Sequence, residues 1–254
     1  MSDLVSVILP AYNCEKTLTD TLESVLNQTY KDLEIILIND AAKDGTHAIC
    51  DSFAKKDQRI RYYINSNNLG TLETRVRAIN LAKGEWIAFV DSDDMWSPDK
   101  LEKQFALQKA TSCDLVYTAS SFINETGEPF KWIMHVPEQV TYKKLLRQNV
   151  ISNSSVLMRK RDYLKYSPYS ERGNDMHEDF ACWLCMLRAG LTARGVNEPL
   201  ITYRIHKNSS SSNKVNASKL NMNTYKFIGL GLLERYFYQG CYAVNGILKY
   251  MHFR

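Results

Sequence analysis

The chain has 254 residues, of which 44% are hydrophobic and 24% are charged. This length and apolar content can bury a full core, so the composition excludes a disordered chain and predicts one large domain, with or without an appendage. The sequence has no run of roughly 18 to 20 apolar residues that would span a bilayer, and it opens without a basic and apolar leader. We therefore expect a cytoplasmic protein whose six cysteines are free thiols.

The net charge of +4 is unevenly distributed along the chain. Residues 214–254 contain six basic residues and one acidic residue, so this segment carries +5 and the preceding 213 residues carry −1. A nucleic-acid-binding protein is expected to place its basic residues on the folded body. The charge distribution therefore predicts no nucleic-acid partner and draws attention to the tail.

The first half of the chain alternates strand and helix patterns. Runs rich in β-branched or aromatic residues predict strands at residues 5–9, 34–38, 60–64, 86–90 and 115–117. Residues 18–26 have one apolar helical face, and Ser97 with Pro98 predicts the start of a helix over residues 99–109. Such alternation is typical of an α/β protein with a mostly parallel sheet flanked by helices.

The second half has a different pattern. It predicts a turn at residues 125–128, a short helix at 141–148, a strand at 155–158, a helix at 178–188 that ends at Gly190, and an extended segment at 200–205. Residues 208–213 are four serines between two asparagines, a composition typical of a linker. We therefore expect the main domain to end at residue 213.

The tail, residues 214–254, contains an apolar stripe with a spacing of three and four residues. Its members are Leu230, Leu233, Phe237, Cys241, Val244, Leu248 and Met251. This spacing is typical of one face of a helix, and it predicts a C-terminal helical extension. Two interpretations stay open: the helix packs on the body of the protein, or it lies on a membrane surface with its basic residues near anionic lipid.

Three carboxylates follow the strand predicted at residues 86–90. Asp91, Asp93 and Asp94 stand where like charges repel each other and lose hydration. A divalent cation would stabilise them, and oxygen ligands favour Mg²⁺ or Mn²⁺, which take further ligands from phosphates. The alternative is a solvated acidic turn. Because ligands bind at the edge of an α/β sheet, we favour a metal site there.

The first strand is followed by Pro10, Ala11 and Tyr12, and the first glycine of the chain is Gly45. A Rossmann fingerprint or a P-loop needs glycines directly after the first strand. The sequence therefore disfavours a dinucleotide enzyme, a P-loop enzyme and a sugar nucleotidyltransferase with a glycine-rich first loop. Tyr12 instead offers a ring that could stack on a base, and Asp40 could accept a hydrogen bond from a base N–H.

A series of ordered motifs over about the first 110 residues resembles family 2 of the glycosyltransferases. In chain order they are VSVILPAYN at 5–13, SVLNQTY at 24–30, EIILIND at 34–40 with DGT at 44–46, NLG at 68–70, AKGE at 82–85 and DSDD at 91–94. The resemblance implies the GT-A fold. It also implies a catalytic domain over 1–213, in which 1–110 bind the nucleotide sugar and 111–213 bind the acceptor and supply the catalytic base.

The resemblance assigns the donor-binding residues. It implies that Tyr12, Asp40 and Arg75 hold the uracil of a UDP-sugar, beside Pro10 and Ala11 of the same loop. The chain departs from the family around two of these residues. It has NDAA where the family often has DDGS, and of the usual ARNxG it keeps only the arginine.

The resemblance also assigns the metal-binding and leaving-group residues. Asp93 would reach the metal ion on the diphosphate, and Asp91 would face the sugar or its ribose, with Ser92 between them. Arg204 or His206 would neutralise the leaving diphosphate, because negative charge grows there in the transition state. The alternative is that both cations are ordinary surface residues.

Glu178 and Asp179 open a helix where the family carries its catalytic acids. An acceptor hydroxyl must lose its proton as it attacks the anomeric carbon, so we expect Asp179 to be the general base and Glu178 to support it or to bind the acceptor. The alternative is that both acids only favour a helix N-terminus.

The closing segment at 203–212 resembles bacterial enzymes that build capsule, O-antigen or teichuronic-type polysaccharides on a lipid-linked carrier. The resemblance implies an inverting, metal-dependent glycosyltransferase with a UDP-sugar donor and a lipid-linked glycan acceptor. A basic tail would suit peripheral contact with an anionic membrane at the inner face of the plasma membrane. The alternatives are a catalytically idle sugar-nucleotide-binding or partner subunit, which would not hydrolyse donor, and a nucleotidyltransferase, which would release pyrophosphate.

Overall fold

The structure is a computed structural model, and it describes residues 3–168, 176–206 and 214–250. The strands are β1 (Val5–Ala11), β2 (Leu33–Asn39), β3 (Ile60–Ile64), β4 (Trp86–Phe89), β5 (Met95–Trp96), β6 (Leu115–Ile123), β7 (Gln139–Val140), β8 (Leu157–Arg159) and β9 (Ala193–Arg204). The helices are α1 (Leu18–Leu26), α2 (Thr46–Lys56), α3 (Thr71–Leu81), α4 (Lys100–Thr111), α5 (Tyr142–Arg147), α6 (Lys160–Tyr166), α7 (Glu178–Arg188), α8 (Lys214–Phe227) and α9 (Leu232–Tyr250).

Within the described residues, all nine strands belong to one sheet, ordered β3-β2-β1-β4-β8-β6-β9-β5, with β7 beside β9. The first four strands pair in parallel. In the second half, β8 runs antiparallel between β4 and β6, and β9 runs parallel to β6 and antiparallel to β5. The predicted α/β fold is confirmed, with a parallel N-terminal half and a mixed second half.

Both faces of the sheet are covered, which explains the nearly continuous apolar strands. Along β1, Val7 and Leu9 pack into one apolar cluster with α1, while Ile8 packs into a second cluster on the other face. Strands buried on both faces need apolar residues at consecutive positions, as in other parallel sheets. This arrangement leaves the carboxyl ends of β1, β2 and β4 together at one edge.

The start of α4 is a correction to the sequence analysis. We expected Ser97 and Pro98 to begin the helix, but it begins at Lys100. Trp96 pairs with β9, and the Ser97 N–H donates to the Leu200 carbonyl at 3.0 Å. These bonds hold the chain extended after the DSDD motif, so the helix starts later.

The motif at residues 82–85 lies just before β4 and brings the start of this strand close to β1. Gly84 approaches the first strand so closely that an added Cβ would lie 2.4 Å from the Leu4 carbonyl oxygen. Its N–H donates to Ser6 Oγ, and the Ser6 hydroxyl donates to Glu34 Oε1 at 2.6 Å. A side chain larger than hydrogen would therefore separate β4 from β1.

The two C-terminal helices pack on the body of the protein. Tyr225 of α8 is fully buried, and its hydroxyl donates to the Leu146 carbonyl at 2.8 Å. Its ring centroid lies 6.0 Å from that of Phe180 in α7. The linker predicted at 208–213 lies outside the described residues, and the domain boundary there stays a prediction.

The predicted stripe of the tail divides between two environments. Leu230 packs against the core, whereas Leu233, Phe237 and Val244 are more than half exposed. Cys241 is partly buried. The side chain of Leu248 and the whole of Met251 lie outside the described part of the chain. No helix of the described residues is long and apolar enough to cross a bilayer.

Candidate active site

The residues predicted to bind donor and metal converge at the edge where β1, β2 and β4 end. Tyr12 follows β1, Asp40 follows β2, and Asp91 stands two residues beyond β4. Residue Glu178 at the start of α7 reaches the same edge through a contact with α3. In open α/β sheets this edge is where ligands bind.

Arg75 of α3 connects the two halves of the site. Its Nη2 lies 2.5 Å from Asp91 Oδ1, and its Nη1 lies 2.8 Å from Glu178 Oε1. Burial alone would lower the pKa of Arg75, but the charges of Asp91 and Glu178 raise it above its ordinary value, so the guanidinium stays charged. Both terminal nitrogens of Arg75 thus contact carboxylates. The predicted contact of Arg75 with the uracil of the donor stays a prediction.

Asp93 points to the closing segment after β9. Its Oδ2 lies 2.9 Å from Nε2 of His206. Burial and the neighbouring charge of Asp91 raise the pKa of Asp93, and His206 opposes that shift. The surroundings of Asp93 therefore disfavour its ionised form.

Asp94 is turned inward, although the sequence analysis grouped it with Asp91 and Asp93 as a carboxylate of the expected metal site. Its carboxylate accepts hydrogen bonds from Ser154 Oγ at 2.5 Å and from the Arg204 N–H at 3.2 Å. Ser154 Oγ also accepts from the Asp91 N–H at 3.1 Å. Burial, followed by the charges of Asp91 and Asp93, raises the pKa of Asp94 well above its ordinary value. Asp94 therefore fixes the DSDD loop against β9.

Asp179 lies in the first turn of α7, one residue after the partner of Arg75. Burial and, to a smaller extent, the adjacent charge of Glu178 raise the pKa of Asp179 to about 6. Its Oδ1 accepts a hydrogen bond from the Phe180 N–H at 2.7 Å. A carboxylate with a raised pKa is a stronger base than a solvated one, which suits proton abstraction near neutral pH.

Tyr12 and Asp40, both predicted to bind the base, have contrasting environments. Tyr12 is 45% exposed. Pro10 and Ala11 were expected to follow the first strand, but they are its last two residues and pair with β2. Asp40 is 3% exposed, and its carboxylate accepts from Asn65 Nδ2 at 2.6 Å and from the N–H groups of residues 69 and 70 at 2.9 Å. Tyr12 offers a surface for stacking, whereas Asp40 orders the NLG motif.

The remaining predicted residues also meet at the DSDD loop. The Ser92 carbonyl accepts from Thr17 Oγ1 at 2.8 Å. Arg204 is buried, with its Nε 3.3 Å from the Asp93 carbonyl oxygen and its Nη2 3.3 Å from Asp20 Oδ2. His206 is about one third exposed. His206 is thus more accessible to a ligand than Arg204.

The carboxylates fit a divalent cation that is held jointly with substrate. Among the described residues, no group of three or more His, Cys, Asp or Glu side chains forms a metal cluster by itself. Asp91 and Asp93 are each about one third exposed, and each uses one oxygen in its contact with Arg75 or His206. A cation that takes its other ligands from water and phosphates would stabilise the ionised form of Asp93, which burial and Asp91 disfavour.

The residues that sequence reasoning missed are Asn65, Ser154 and Asp20. Asn65 follows β3, and its position after a strand could have suggested a role beside Asp40. Nothing local points to Ser154, because its partner Asp94 is 60 residues away.

Comparisons with known proteins agree with this geometry. Glycosyl transferase family 2 matches residues 6–170 of the chain. A Bacillus subtilis (strain 168) protein, TuaG, described as a candidate glycosyltransferase of teichuronic acid biosynthesis, is 37% identical over 89% of this chain and 88% of its own length. WfaP of Escherichia coli, named as a UDP-Glc:alpha-D-GlcNAc-diphosphoundecaprenol beta-1,3-glucosyltransferase, is 33% identical over 98% of this chain and 96% of its own.

Solved structures show the same fold. S. aureus TarS residues 1–349 in complex with UDP-GlcNAc superimposes with a TM-score of 0.71 and 20% identity, covering 91% of this chain and 69% of that one. The mannosyltransferase PcManGT from Pyrobaculum calidifontis, in complex with GDP-Man and Mn²⁺, gives a TM-score of 0.69 and 14% identity, covering 93% and 68%. These likenesses confirm the GT-A fold expected from the motifs.

The fold is that of the GT-A class, and the predicted site residues lie at the edge where β1, β2 and β4 end. The chain belongs to glycosyl transferase family 2. It is a glycosyltransferase, as the ordered motifs of the sequence indicated.

Proposed function

We propose that the protein transfers one sugar from a UDP-sugar to a hydroxyl group of a lipid-linked glycan during the assembly of a bacterial surface polysaccharide. The observation that carries the proposal is the Arg75 bridge, which joins the DSDD motif to the acid pair of α7. The named activity of WfaP supports a UDP-sugar donor and a diphospholipid acceptor, and the name of TuaG supports a surface polymer.

In the proposed reaction, Asp179 is the general base. The acceptor oxygen attacks the anomeric carbon while the bond from that carbon to the diphosphate oxygen breaks. The acceptor proton passes to the Asp179 carboxylate, and UDP leaves with the electron pair of the broken bond. A single displacement of this kind inverts the anomeric configuration. Glu178 pairs with Arg75 and would orient the start of α7.

The donor would lie along the edge of the sheet. Tyr12 provides an exposed ring for base stacking. Asp40 and Arg75 would make the hydrogen bonds that are specific for the base, in addition to the contacts that they already make with the protein. Pro10 and Ala11 at the end of β1, and Ser92 of the DSDD motif, would line the donor site.

A divalent cation, Mn²⁺ or Mg²⁺, is part of the proposal. Asp91 and Asp93 would hold it, because they are the partly exposed carboxylates of the DSDD motif and each uses one oxygen in its contact with Arg75 or His206. When bound, the cation would offset the charge of the diphosphate. His206, which is about one third exposed, would contact the leaving group, and the buried Arg204 would support the DSDD loop through its contact with the Asp93 carbonyl.

The proposal includes a cytoplasmic location with peripheral contact at the inner face of the plasma membrane. All six cysteines are free thiols in the structure, which agrees with a reducing compartment. A lipid-linked acceptor would also require the enzyme to work close to a membrane surface.

The experiment is a screen of UDP-sugars with a GlcNAc-diphospholipid acceptor, in the presence of Mn²⁺ and with a chelator. We expect acceptor-dependent UDP release and a product whose new anomeric linkage is inverted, as read by NMR. UDP-sugar binding without turnover or hydrolysis would instead identify a catalytically idle binding subunit. Pyrophosphate release would identify a nucleotidyltransferase.

A further inference from the structure

Helix α9 has two apolar faces, and one of them is fixed to the body. The ring centroid of Tyr238 lies 6.3 Å from that of Tyr225, and the ring of Tyr242 lies 6.2 Å from that of Phe180. On the same side, Asn245 Nδ2 donates to the Arg147 carbonyl at 3.2 Å. The orientation of α9 about its own axis is therefore set by packing.

The opposite side of α9 is exposed, although it is also apolar. We call it the outer apolar face and define it by seven exposed residues: Leu232, Leu233, Tyr236, Phe237, Gly240, Ala243 and Val244. At about 100° per residue these positions span an arc of about 140°. The two charged residues of this stretch, Glu234 and Arg235, lie outside the arc.

The exposure of this face is large for a protein surface. The exposed fraction is 85% for Leu233, 63% for Tyr236 and 58% for Phe237. Large apolar side chains clustered on a surface mark sites of interaction with a protein or a membrane. The packing of the tyrosines on the other side excludes a simple rotation of α9 that would bury this face.

The charge of the surrounding segment indicates which surface is bound. Residues 214–254 carry +5, although the rest of the chain carries −1. Lys219 and Lys226 of α8 are exposed, in the helix that packs beside α9. Helices that lie on anionic bilayers combine such basic residues with leucine and aromatic residues on one face. A basic segment near anionic lipid also gains electrostatic attraction.

We propose that the outer apolar face of α9 docks on an anionic phospholipid bilayer. The side chains of Leu233 and Phe237 enter the boundary between headgroups and acyl chains, while the other face of α9 stays packed on the body. The purpose of this contact rests on the proposed function, because a lipid-linked acceptor would be presented at the same surface. The contact itself does not depend on catalysis.

The test is a flotation assay of the full chain with phosphatidylcholine vesicles, with and without phosphatidylglycerol, at low and high salt. The variant is Leu233→Ser with Phe237→Ser, which changes two exposed side chains and leaves the packed face intact. The control is Val215→Ser, because Val215 is 82% exposed and lies on α8. A second variant, Lys219→Gln with Lys226→Gln, tests how much the attraction between basic residues and anionic lipid contributes to binding.

We expect the parent protein and Val215→Ser to float with vesicles that contain phosphatidylglycerol, less so at high salt. The Leu233 and Phe237 double variant should lose at least about tenfold in vesicle affinity, because binding scales with buried apolar area. The lysine variant should lose its preference for anionic lipid. Equal circular dichroism spectra would show that the variants remain folded.

Two results would overturn the proposal. One is a double variant that binds anionic vesicles as tightly as the parent. The other is a parent protein that does not bind these vesicles at low salt. In that case, a dimer of the parent that is absent in the double variant, as measured by light scattering, would identify a second copy of the chain as the partner of this face. Acceptor-dependent release of UDP, with the acceptor in detergent and without vesicles, is measured in parallel. Its absence would contradict the proposed function and leave the membrane contact standing.

Discussion

Arg75 and Glu178 form an ion pair of 2.8 Å between residues that are 103 positions apart in the chain. The other terminal nitrogen of the same guanidinium lies 2.5 Å from Asp91. A planar guanidinium can serve two carboxylates in fixed directions, which an ammonium cannot. The DSDD motif and the start of α7, where the proposed base lies, are therefore held in one geometry by a single buried cation.

We expect Arg75→Met to lower the free energy of unfolding by about 1–3 kcal/mol, because two partly buried carboxylates lose a charged hydrogen-bond donor. Arg75→Lys should keep most of this stability and still lose activity, since it cannot hold both acids. Urea unfolding and transfer assays measure the two effects. Lys55→Met is the control, because it removes an exposed ion pair with Asp51 and should cost under about 1 kcal/mol. Equal unfolding midpoints for Arg75→Met and Lys55→Met would contradict the structural role.

Ser154→Ala should also destabilise the protein, by about 1–3 kcal/mol. The hydroxyl donates to the buried Asp94 carboxylate and accepts from the Asp91 N–H, so its removal leaves both groups short of a partner. Ser66→Ala, at an exposed hydroxyl, serves as the control. Activity should fall as well, since the DSDD loop loses its support. If thermal unfolding and activity of Ser154→Ala match those of the control, Ser154 has no positioning role.

The parts of this site that were predictable are local. The strand pattern before DSDD and the order of the motifs indicated the sheet edge where Asp40 and Asp91 lie. The Arg75 contact and the inward turn of Asp94 were not predictable, because they depend on packing between distant segments. The helix start at Ser97 was mispredicted for the same reason, since β9 holds that segment extended. The tail stripe showed apolar spacing but could not show which side of α9 faces the body.

Asp93→Ala should abolish the dependence of UDP binding on Mn²⁺ and leave the fold intact. Burial and Asp91 disfavour the ionised form of Asp93, so thermal stability should be equal to or higher than that of the parent. Calorimetry of UDP with and without Mn²⁺ measures the binding. Asp99→Ala is the control, because this partly exposed carboxylate lies outside the site and contacts Lys103. A Mn²⁺-dependent affinity that survives Asp93→Ala would remove the metal assignment.

The raised pKa of Asp179 has a defined effect on pH dependence. The base acts only when ionised, so kcat/KM should rise with pH and level off above about 6. The stability of the fold depends on the ionisation of Asp179 in the opposite direction, and it falls as pH rises. Because the folded-state pKa is raised, the contribution of Asp179 to folding is present below its unfolded value and is lost as pH rises through about 6.

Asp179→Asn should therefore unfold at the same temperature as the parent near pH 4 and at a higher temperature near pH 8. Thermal unfolding across this range measures the difference. A variant that is less stable than the parent at pH 8 would show that the ionised carboxylate is favoured by the fold, in conflict with a raised pKa.

The rate of sugar transfer by Asp179→Asn tests the central claim most directly. The measurement compares single-turnover transfer from a UDP-sugar to the lipid-linked acceptor with UDP-sugar affinity in the same variant. We predict a transfer rate lower by about 10² to 10⁴ and an unchanged affinity, the contribution expected of a positioned general base. Transfer at the parent rate would contradict the claim and leave Asp179 as a residue that only begins α7.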